Sequence, residues 1–252
     1  MRVITESKVY NNIPSLLFYP EGAKNLPLVI FCHGFSNDKF EGSCLGLKLA
    51  LEGYAVLSFD MDRHGERYDG FIEKIDSDLS FLKEVFSIIE NTHKDIDLLL
   101  EEVKKDARIN SDKIAMIGYS LGANICNHQL VNRDNISVCV SIIGSPNFTE
   151  LMLHTLHKDH VTDLDDKEKD LLEYVKSLDP IDQLRQGQLD CPYLMINGKK
   201  DDTIPYKHSQ DLFLQVKDTW VSDIDFILED EYHFVSNSMM DSTIDWIKKY
   251  LI

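Results

Sequence analysis

The segment KIAMIGYSLGANICNHQL, Lys113–Leu130, decides how the rest of the chain is interpreted. Its first part is a run of small and branched apolar residues that is typical of a buried strand. The residues from Leu121 to the end of the segment, continued by Val131, have the apolar spacing of a helix. Ser120 lies between the two parts, with Gly118 and Gly122 on either side. The segment therefore predicts a sharp strand-to-helix turn that presents a serine hydroxyl at the carboxyl end of a strand.

Apolar runs of the same kind recur along the chain and predict a parallel sheet, because continuous apolar runs are typical of strands covered on both faces. The predicted core strands are Leu26–Cys32, Tyr54–Asp60, Lys113–Gly118, Ile136–Ile143, Cys191–Asn197 and Asp223–Glu229, after an opening hairpin of Arg2–Tyr10 and Ile13–Tyr19. Segments with helical apolar spacing separate them, including Glu41–Glu52, Leu121–Val131, Tyr206–Lys217 and Ser238–Tyr250. This alternation predicts an α/β fold with a mostly parallel sheet of about eight strands and helices on both faces.

Two long segments need a separate interpretation. Between Asp76 and Asp106, Thr92 is followed three residues later by Asp95, a capping signal that predicts two helices, Ser77–Asn91 and His93–Lys105. Residues 146–184 are helical in pattern, acidic in their middle, and interrupt the alternation of strands and helices. Insertions of this length often cover active sites, so we predict a small helical cap over a pocket.

Composition limits the domain count and the kinds of partner. With 252 residues, 43% of them hydrophobic, the chain can bury one large core, and we predict a single domain over residues 1–252 that includes the cap. The formal net charge of −17 repels polyanions, so we expect neither nucleic acid nor a membrane surface as a partner. Neutral or cationic small molecules are better tolerated, and the sequence makes no prediction of an oligomeric state.

The compartment is inferred from what the sequence lacks. The N-terminal residues show no basic leader followed by an apolar core, and no window approaches the roughly 20 apolar residues of a membrane span. Five cysteines, none with CxxC spacing, do not fit a disulfide framework or a cysteine metal site. We therefore expect a cytoplasmic protein with reduced thiols.

Three histidines, His154, His157 and His160, invite a metal interpretation but do not support one. On a helix at about 100° per residue, the first and the third lie about 240° apart, so the three cannot converge on one ion. No metal and no cofactor is predicted.

A serine hydroxyl is a weak nucleophile at neutral pH, so the predicted turn needs a general base and a group that orients that base. His233 lies in the loop after the last predicted strand, at the sheet edge where Ser120 is expected. His208 falls in the first turn of a predicted helix, where we expect a solvated surface side chain. Asp201 and Asp202 follow the strand that ends at Asn197, and either carboxylate could orient the imidazole.

The order serine, aspartate, histidine is that of the α/β-hydrolase scaffold, and five motifs resemble those of the α/β-hydrolase superfamily, within its single-domain carboxylesterase and prolyl-oligopeptidase-like branch. They are VIFCHGFSND (Val29–Asp38), SFDMDRHGER (Ser58–Arg67), GYSLG (Gly118–Gly122), NGKKDDTIP (Asn197–Pro205) and YHF (Tyr232–Phe234). The resemblance spans the chain from Leu28 to the C-terminal helix and implies the α/β-hydrolase fold.

The resemblance also implies an oxyanion hole. In that family the residue after the His-Gly pair donates its backbone N–H to the oxyanion, and here that residue is Phe35. The second donor would be the N–H of Leu121, with His33 and Gly34 shaping the loop without taking part in the chemistry.

Two further motifs refine the site. The family acid loop Gly-x-x-Asp-x-x-Val/Ile-Pro fits Gly198 to Pro205 with Asp201 in the acid position, so the resemblance favours Asp201 over Asp202. The loop of Asp60, His64 and Arg67 lines the pocket in that family, and we expect it to be a hydrogen-bonded lock. Many relatives have glycine before the catalytic histidine, where this chain has Tyr232.

These observations predict a serine hydrolase, a carboxylesterase that cleaves esters of small to medium neutral substrates through an acyl-enzyme on Ser120. A peptidase or amidase of the prolyl oligopeptidase type would use the same three residues. A ligand-binding protein without catalysis is the alternative from another class, and in that case GYSLG would be an ordinary tight turn.

Overall fold

The predicted apolar runs pair into one eight-stranded sheet in the computed structural model, which describes residues 2–251. The strands are β1 (Val3–Tyr10), β2 (Ile13–Pro20), β3 (Leu26–Cys32), β4 (Ala55–Phe59), β5 (Ile109–Tyr119), β6 (Ile136–Ile142), β7 (Tyr193–Gly198) and β8 (Ile224–Glu229). Their spatial order is β1-β2-β4-β3-β5-β6-β7-β8, and β1 and β2 are antiparallel to their neighbours while all other pairs are parallel. The predicted fold class is confirmed.

Helices cover both faces of this sheet. They are α1 (Ser43–Leu51), α2 (Asp78–Val103), α3 (Leu121–Asn132), α4 (Phe148–Thr155), α5 (Asp166–Leu178), α6 (Ile181–Arg185), α7 (Lys207–Val216) and α8 (Asn237–Tyr250), with short 3₁₀ helices at Gly65–Arg67, Ile72–Lys74 and Val161–Asp163. Side chains of β3 alternate between two buried clusters, with Leu28 and Ile30 on the side of α2, α3 and α7, and Val29 and Phe31 on the side of α1 and α8. Burial on both faces explains why the strands are continuously apolar.

The opening hairpin turns at the two asparagines that the sequence singles out. Asn11 and Asn12 have φ angles of 47° and 66°, and Tyr10 pairs with Ile13 across the two-residue loop. Two left-handed residues in succession match the right-handed twist of the flanking strands.

The prediction of two helices between Asp76 and Asp106 is wrong, because this segment forms the single helix α2. The helix begins after Ser77, whose hydroxyl accepts from the N–H of Ser80. Thr92 is buried, and its hydroxyl accepts from the N–H of Asp62, whereas Asp95 binds Arg67. Both residues of the apparent capping signal therefore make tertiary contacts.

Among residues 2–251, no helix is both long enough and apolar enough to cross a membrane, and this includes α2, the longest of them.

Several element boundaries differ from the prediction. β5 begins at Ile109 and not at Lys113, and the helix predicted from Glu41 begins at Ser43. Glu41 therefore lies in the loop between β3 and α1 and not on the helix, which becomes important for the pocket below.

Residues 146–184 contain α4, a 3₁₀ helix, α5 and most of α6, and they separate β6 from β7. The carboxylate of Asp179, near the end of this segment, accepts from the N–H groups of Phe148 and Thr149 at its start, at 3.0 and 2.8 Å. These bonds satisfy free amides in the first turn of α4. The two ends of the segment are thus joined.

The loops that follow β3 and β4 are held together by a buried ion pair. Lys39 Nζ lies 2.8 Å from Asp60 Oδ2, and both side chains are almost fully buried. Asp60 also accepts from the N–H groups of Lys39 and Glu66, each at 2.9 Å, while Arg67 donates to the backbone oxygen of Asp60. Because the Lys39 side chain and its backbone N–H both bind Asp60 in the loop after β4, the loop that contains Phe35 is fixed relative to the sheet.

Candidate active site

Ser120 lies at the end of β5 in a backbone conformation that L-residues rarely adopt, with φ 52° and ψ −111°. Its N–H donates to the backbone oxygen of Ile142 at 3.0 Å, and its own backbone oxygen accepts from the N–H of Asn124 at 3.1 Å. The strain is therefore held by bonds to the next strand and to the following helix, and such strain is typical of functional sites.

The two flanking glycines make this turn possible. A Cβ atom at Gly118 would overlap the backbone oxygen of Gly122, and one at Gly122 would overlap the backbone oxygen of Cys32. Helix α3 thus crosses β5 and β3 at a distance that only glycine permits.

The structure brings Ser120, His233 and Asp201 into one hydrogen-bonded chain. The Ser120 hydroxyl lies 2.9 Å from His233 Nε2, and His233 Nδ1 lies 2.7 Å from Asp201 Oδ2. The side chain of Asp201 is fully buried, whereas that of His233 is 26% exposed. With Nδ1–H donating to the carboxylate, Nε2 is left as the acceptor for the serine proton.

The two adjacent aspartates occupy different environments. Asp201 Oδ1 accepts from the N–H groups of Thr203 and Ile204, at 3.0 and 2.9 Å, which leaves Oδ2 for His233. Asp202 is exposed, and its backbone oxygen accepts from His154 Nε2 at 2.8 Å. Only Asp201 has its carboxylate on the imidazole.

The loop of His233 accommodates Tyr232, at the position where the resemblance leads one to expect glycine. The Tyr232 side chain is 65% exposed, so its bulk extends into solvent. The backbone of this loop packs closely against Gly198, where a Cβ atom would overlap the backbone oxygens of Glu231 and Tyr232. The loop also accepts a hydrogen bond from the N–H of Lys200 at the oxygen of Glu231, 2.8 Å away. The position of His233 is therefore fixed by the acid loop.

Phe35 and Leu121, the predicted oxyanion donors, both line the cavity that contains Ser120 and His233. Within residues 2–251, neither backbone N–H has a hydrogen-bond acceptor. Leu121 is the first residue of α3, where the helix dipole adds partial positive charge. Two free amides at the serine form a site that can accept a developing negative charge.

His33 and His64 are buried next to this loop and stay neutral. His33 Nδ1 donates to the backbone oxygen of Gly34 at 2.8 Å, and Nε2 accepts from the N–H of Met61 at 3.1 Å. Burial lowers the pKa of His33 to about 3, despite the opposing bond to Gly34. Burial also lowers the pKa of His64, whose Nδ1 donates to the backbone oxygen of Asp62. Both rings support the loop, as the sequence predicts for His33.

The cavity at Ser120 has a volume of about 580 Å³ and two different walls. One wall is apolar and comes from α2 and α4, with Phe81, Leu82, Val85 and Leu151. The other wall comes from the loop after β3, the start of α1 and the end of β5, and includes Asn37, Glu41, Cys44 and Tyr119.

Sequence analysis missed most of these lining residues. Leu151 lines the cavity, whereas its neighbours Phe148 and Met152 pack in the main core and Leu156 packs against it. Glu41 was assigned to a helix. The sequence signal that could have placed Glu41 at the cavity was its position in the segment that follows His33 and Gly34.

The expectation that His208 is a solvated side chain is wrong. Its Nδ1 lies 3.0 Å from the hydroxyl of Ser145, which is fully buried and immediately precedes the 146–184 segment. Burial, with a smaller effect of His154, lowers the pKa of His208 to about 4. The ring is a neutral link between α7 and this segment.

The family of the chain follows from comparison with known proteins. Residues 88–251, more than half of the chain, match the prolyl oligopeptidase family. The chain belongs to that family. The resemblance inferred from the five motifs is thereby confirmed.

Two relatives and one solved structure are similar over most of the chain. "Putative esterase YitV" of Bacillus subtilis (strain 168) is 26% identical over 259 residues, covering 98% of each chain. "Esterase YjfP" of Escherichia coli (strain K12) is 26% identical over 209 residues, covering 81% of each. The crystal structure of TT1662 from Thermus thermophilus superposes with a TM-score of 0.77 at 20% identity, covering 100% of this chain and 99% of that one, and shows the same fold.

No group of three or more His, Cys, Asp or Glu side chains within residues 2–251 is arranged so that it could hold a metal ion. His154 instead bonds the acid loop, and His160 lies at the start of the 3₁₀ helix Val161–Asp163.

The crossing of α3 over β3 and β5 predicts the effect of one added methyl group. We expect Gly122→Ala to lower the free energy of unfolding by about 3 kcal/mol or more, because a Cβ atom would overlap backbone that cannot move aside. Ser120→Ala, two residues away, removes only a hydroxyl and serves as the control, with an expected change below about 1 kcal/mol. Urea denaturation measures both. Equal stability of the two variants would contradict the close crossing.

Proposed function

We propose that the protein is a serine hydrolase that cleaves carboxylic esters, with Ser120 as nucleophile, His233 as general base and Asp201 as the acid that orients His233. The observation that carries the proposal is the hydrogen-bonded chain from the Ser120 hydroxyl through His233 to the buried Asp201 carboxylate, at 2.9 and 2.7 Å. Histidine within this distance can take the serine proton as the hydroxyl attacks a carbonyl carbon.

The steps follow from this arrangement. His233 takes the proton of Ser120 through Nε2, and the resulting imidazolium is stabilised by Asp201 through Nδ1–H. The tetrahedral oxyanion is bound by the N–H groups of Phe35 and Leu121. His233 then gives the proton to the leaving alcohol, and the acyl group remains on Ser120. Water, deprotonated by the same imidazole, releases the acid and restores the serine. This sequence needs no cofactor.

Ester hydrolysis is favoured over peptide hydrolysis by the curated relatives. The two that cover most of this chain are both named esterases, and one of them matches over 98% of both lengths. The family as a whole supports the alternative, a peptidase or amidase that uses the same three residues. A binding protein without catalysis is disfavoured, because the strained Ser120 and the ordered imidazole have no function in simple binding.

Two further features belong to the proposal. Residues 146–184 act as a small helical cap within a single domain. This part of the proposal is supported by Leu151 and Thr155 of α4, which line the cavity. The protein acts on small molecules in the cytoplasm. The proposed compartment is supported by the five cysteines, four buried and one exposed, which are all unpaired.

Removal of the nucleophile tests the reaction. We expect Ser120→Ala to reduce kcat/KM for p-nitrophenyl acetate by at least about 10⁴-fold, because no acyl-enzyme can form. Far-UV circular dichroism should remain unchanged. A panel of esters and matched peptide amides, assayed with the wild-type protein, distinguishes the esterase from the peptidase. Full activity in Ser120→Ala would show that another group carries the reaction.

The two adjacent aspartates provide a matched pair. Asp201→Asn should lower kcat by about 10³-fold or more, because an amide can stabilise neither the required tautomer nor the imidazolium. Asp202→Asn removes the same charge one residue away, from an exposed side chain, and should change kcat by less than about twofold. Loss of kcat confined to Asp202→Asn would overturn the assignment of the acid.

A further inference from the structure

Glu41 is the one carboxylate among the residues that line the cavity, and within the described chain no lysine or arginine lines it. It lies in the loop between β3 and α1, on the wall that carries Asn37 and Tyr119. No salt bridge joins Glu41 to a cation in the described residues. A half-buried carboxylate therefore faces the substrate space without a counter-ion.

The carboxylate is held in place by two short hydrogen bonds. Glu41 Oε2 accepts from the N–H of Gly34 and Oε1 accepts from Asn37 Nδ2, both at 2.6 Å. Since an ionised carboxylate has about four acceptor positions, it retains capacity for a ligand. Burial, and to a lesser extent the charge of Asp38, raise the pKa of Glu41 although its two hydrogen bonds oppose this effect. The site lacks a positive charge that would compensate for the burial.

Aromatic side chains complete the surroundings. Phe35, Tyr119 and Phe234 line the same cavity as Glu41. The Tyr119 hydroxyl is buried with no hydrogen-bond partner in the described part of the chain, and burial together with the charge of Glu41 raises its pKa. Tyr119 therefore places an aromatic ring near the Glu41 carboxylate, and alkylated ammonium groups favour such surroundings.

We propose that this wall of the cavity is a subsite for an alkylated ammonium group of the ester substrate, with Glu41 as its counter-charge. The inference rests on the proposed ester hydrolysis and replaces the neutral ester of the sequence prediction by a cationic one. The net charge of −17 agrees with it, because the field of the whole molecule attracts cations and repels anionic esters.

Glu41 also fixes Gly34, next to the Phe35 amide, so its replacement is expected to slow hydrolysis of every ester. The ratio of kcat/KM for a cationic ester to that for its neutral isostere removes this shared effect. Acetylcholine and 3,3-dimethylbutyl acetate form such a pair for the alcohol half of the ester. The p-nitrophenyl esters of 4-(trimethylammonio)butanoate and 5,5-dimethylhexanoate form one for the acyl half.

In at least one pair, we expect the wild-type protein to favour the cation by about tenfold, and Glu41→Gln to bring that ratio close to one. The pair that responds identifies the half of the ester that contacts Glu41. Asp38→Asn is the matched control, because Asp38 is a neighbouring carboxylate outside the cavity lining, and it should leave the ratio within about twofold.

Binding of tetramethylammonium, measured by calorimetry, tests the subsite without any reaction. Binding to the wild-type protein that Glu41→Gln weakens by about tenfold supports the subsite even if no ester is cleaved, in which case only the proposed hydrolysis fails. Ratios near one in both wild-type pairs, no binding of the cation, or an equal effect of Asp38→Asn would overturn the subsite and leave the ester hydrolysis intact.

Discussion

The close crossing of β5 and α3 at Gly118 and Gly122 is the constraint on which the site depends. The two glycines let the backbones approach without side chains between them, and Ser120 is held between them at φ 52°. This conformation turns the chain from the strand into the helix within one residue. It leaves the serine hydroxyl at the sheet edge and the Leu121 amide free at the start of α3. The proposed nucleophile and one proposed oxyanion donor are thus products of one local packing arrangement.

The remaining groups reach the same edge because the strands are parallel. Asp201 follows β7, His233 follows β8, and Phe35 follows β3, so each lies in a loop at the carboxyl end of its strand. Contacts between loops then set their positions. Gly198 packs against the backbone of the His233 loop, Lys39 and Asp60 join the loops after β3 and β4, and Asp179 closes the 146–184 segment.

Sequence reasoning predicted what depends on local pattern and chain order. Apolar runs predicted the strands, and the order of Ser120, Asp201 and His233 predicted the groups that the structure brings together. Prediction from the sequence failed where tertiary contacts determine a residue's environment. Thr92 and Asp95 had the spacing of a helix cap but bind neighbouring loops, so one helix was predicted as two. The burial of His208 depends on Ser145, 63 residues away, which no local pattern encodes.

Pocket residues were the least predictable for the same reason. The helix predicted over Glu41–Glu52 included Glu41, although α1 begins at Ser43. Its proximity to Ser120 and Tyr119 arises only when the loop after β3 folds against β5.

Labelling with a fluorophosphonate, followed by mass spectrometry, tests the central claim most directly, because only a serine with an activating base and an oxyanion site reacts rapidly. We expect a single adduct on Ser120 in the folded protein, none in urea, and none in Ser120→Ala. Folded wild-type protein that stays unlabelled, or that is labelled at another residue, would contradict it.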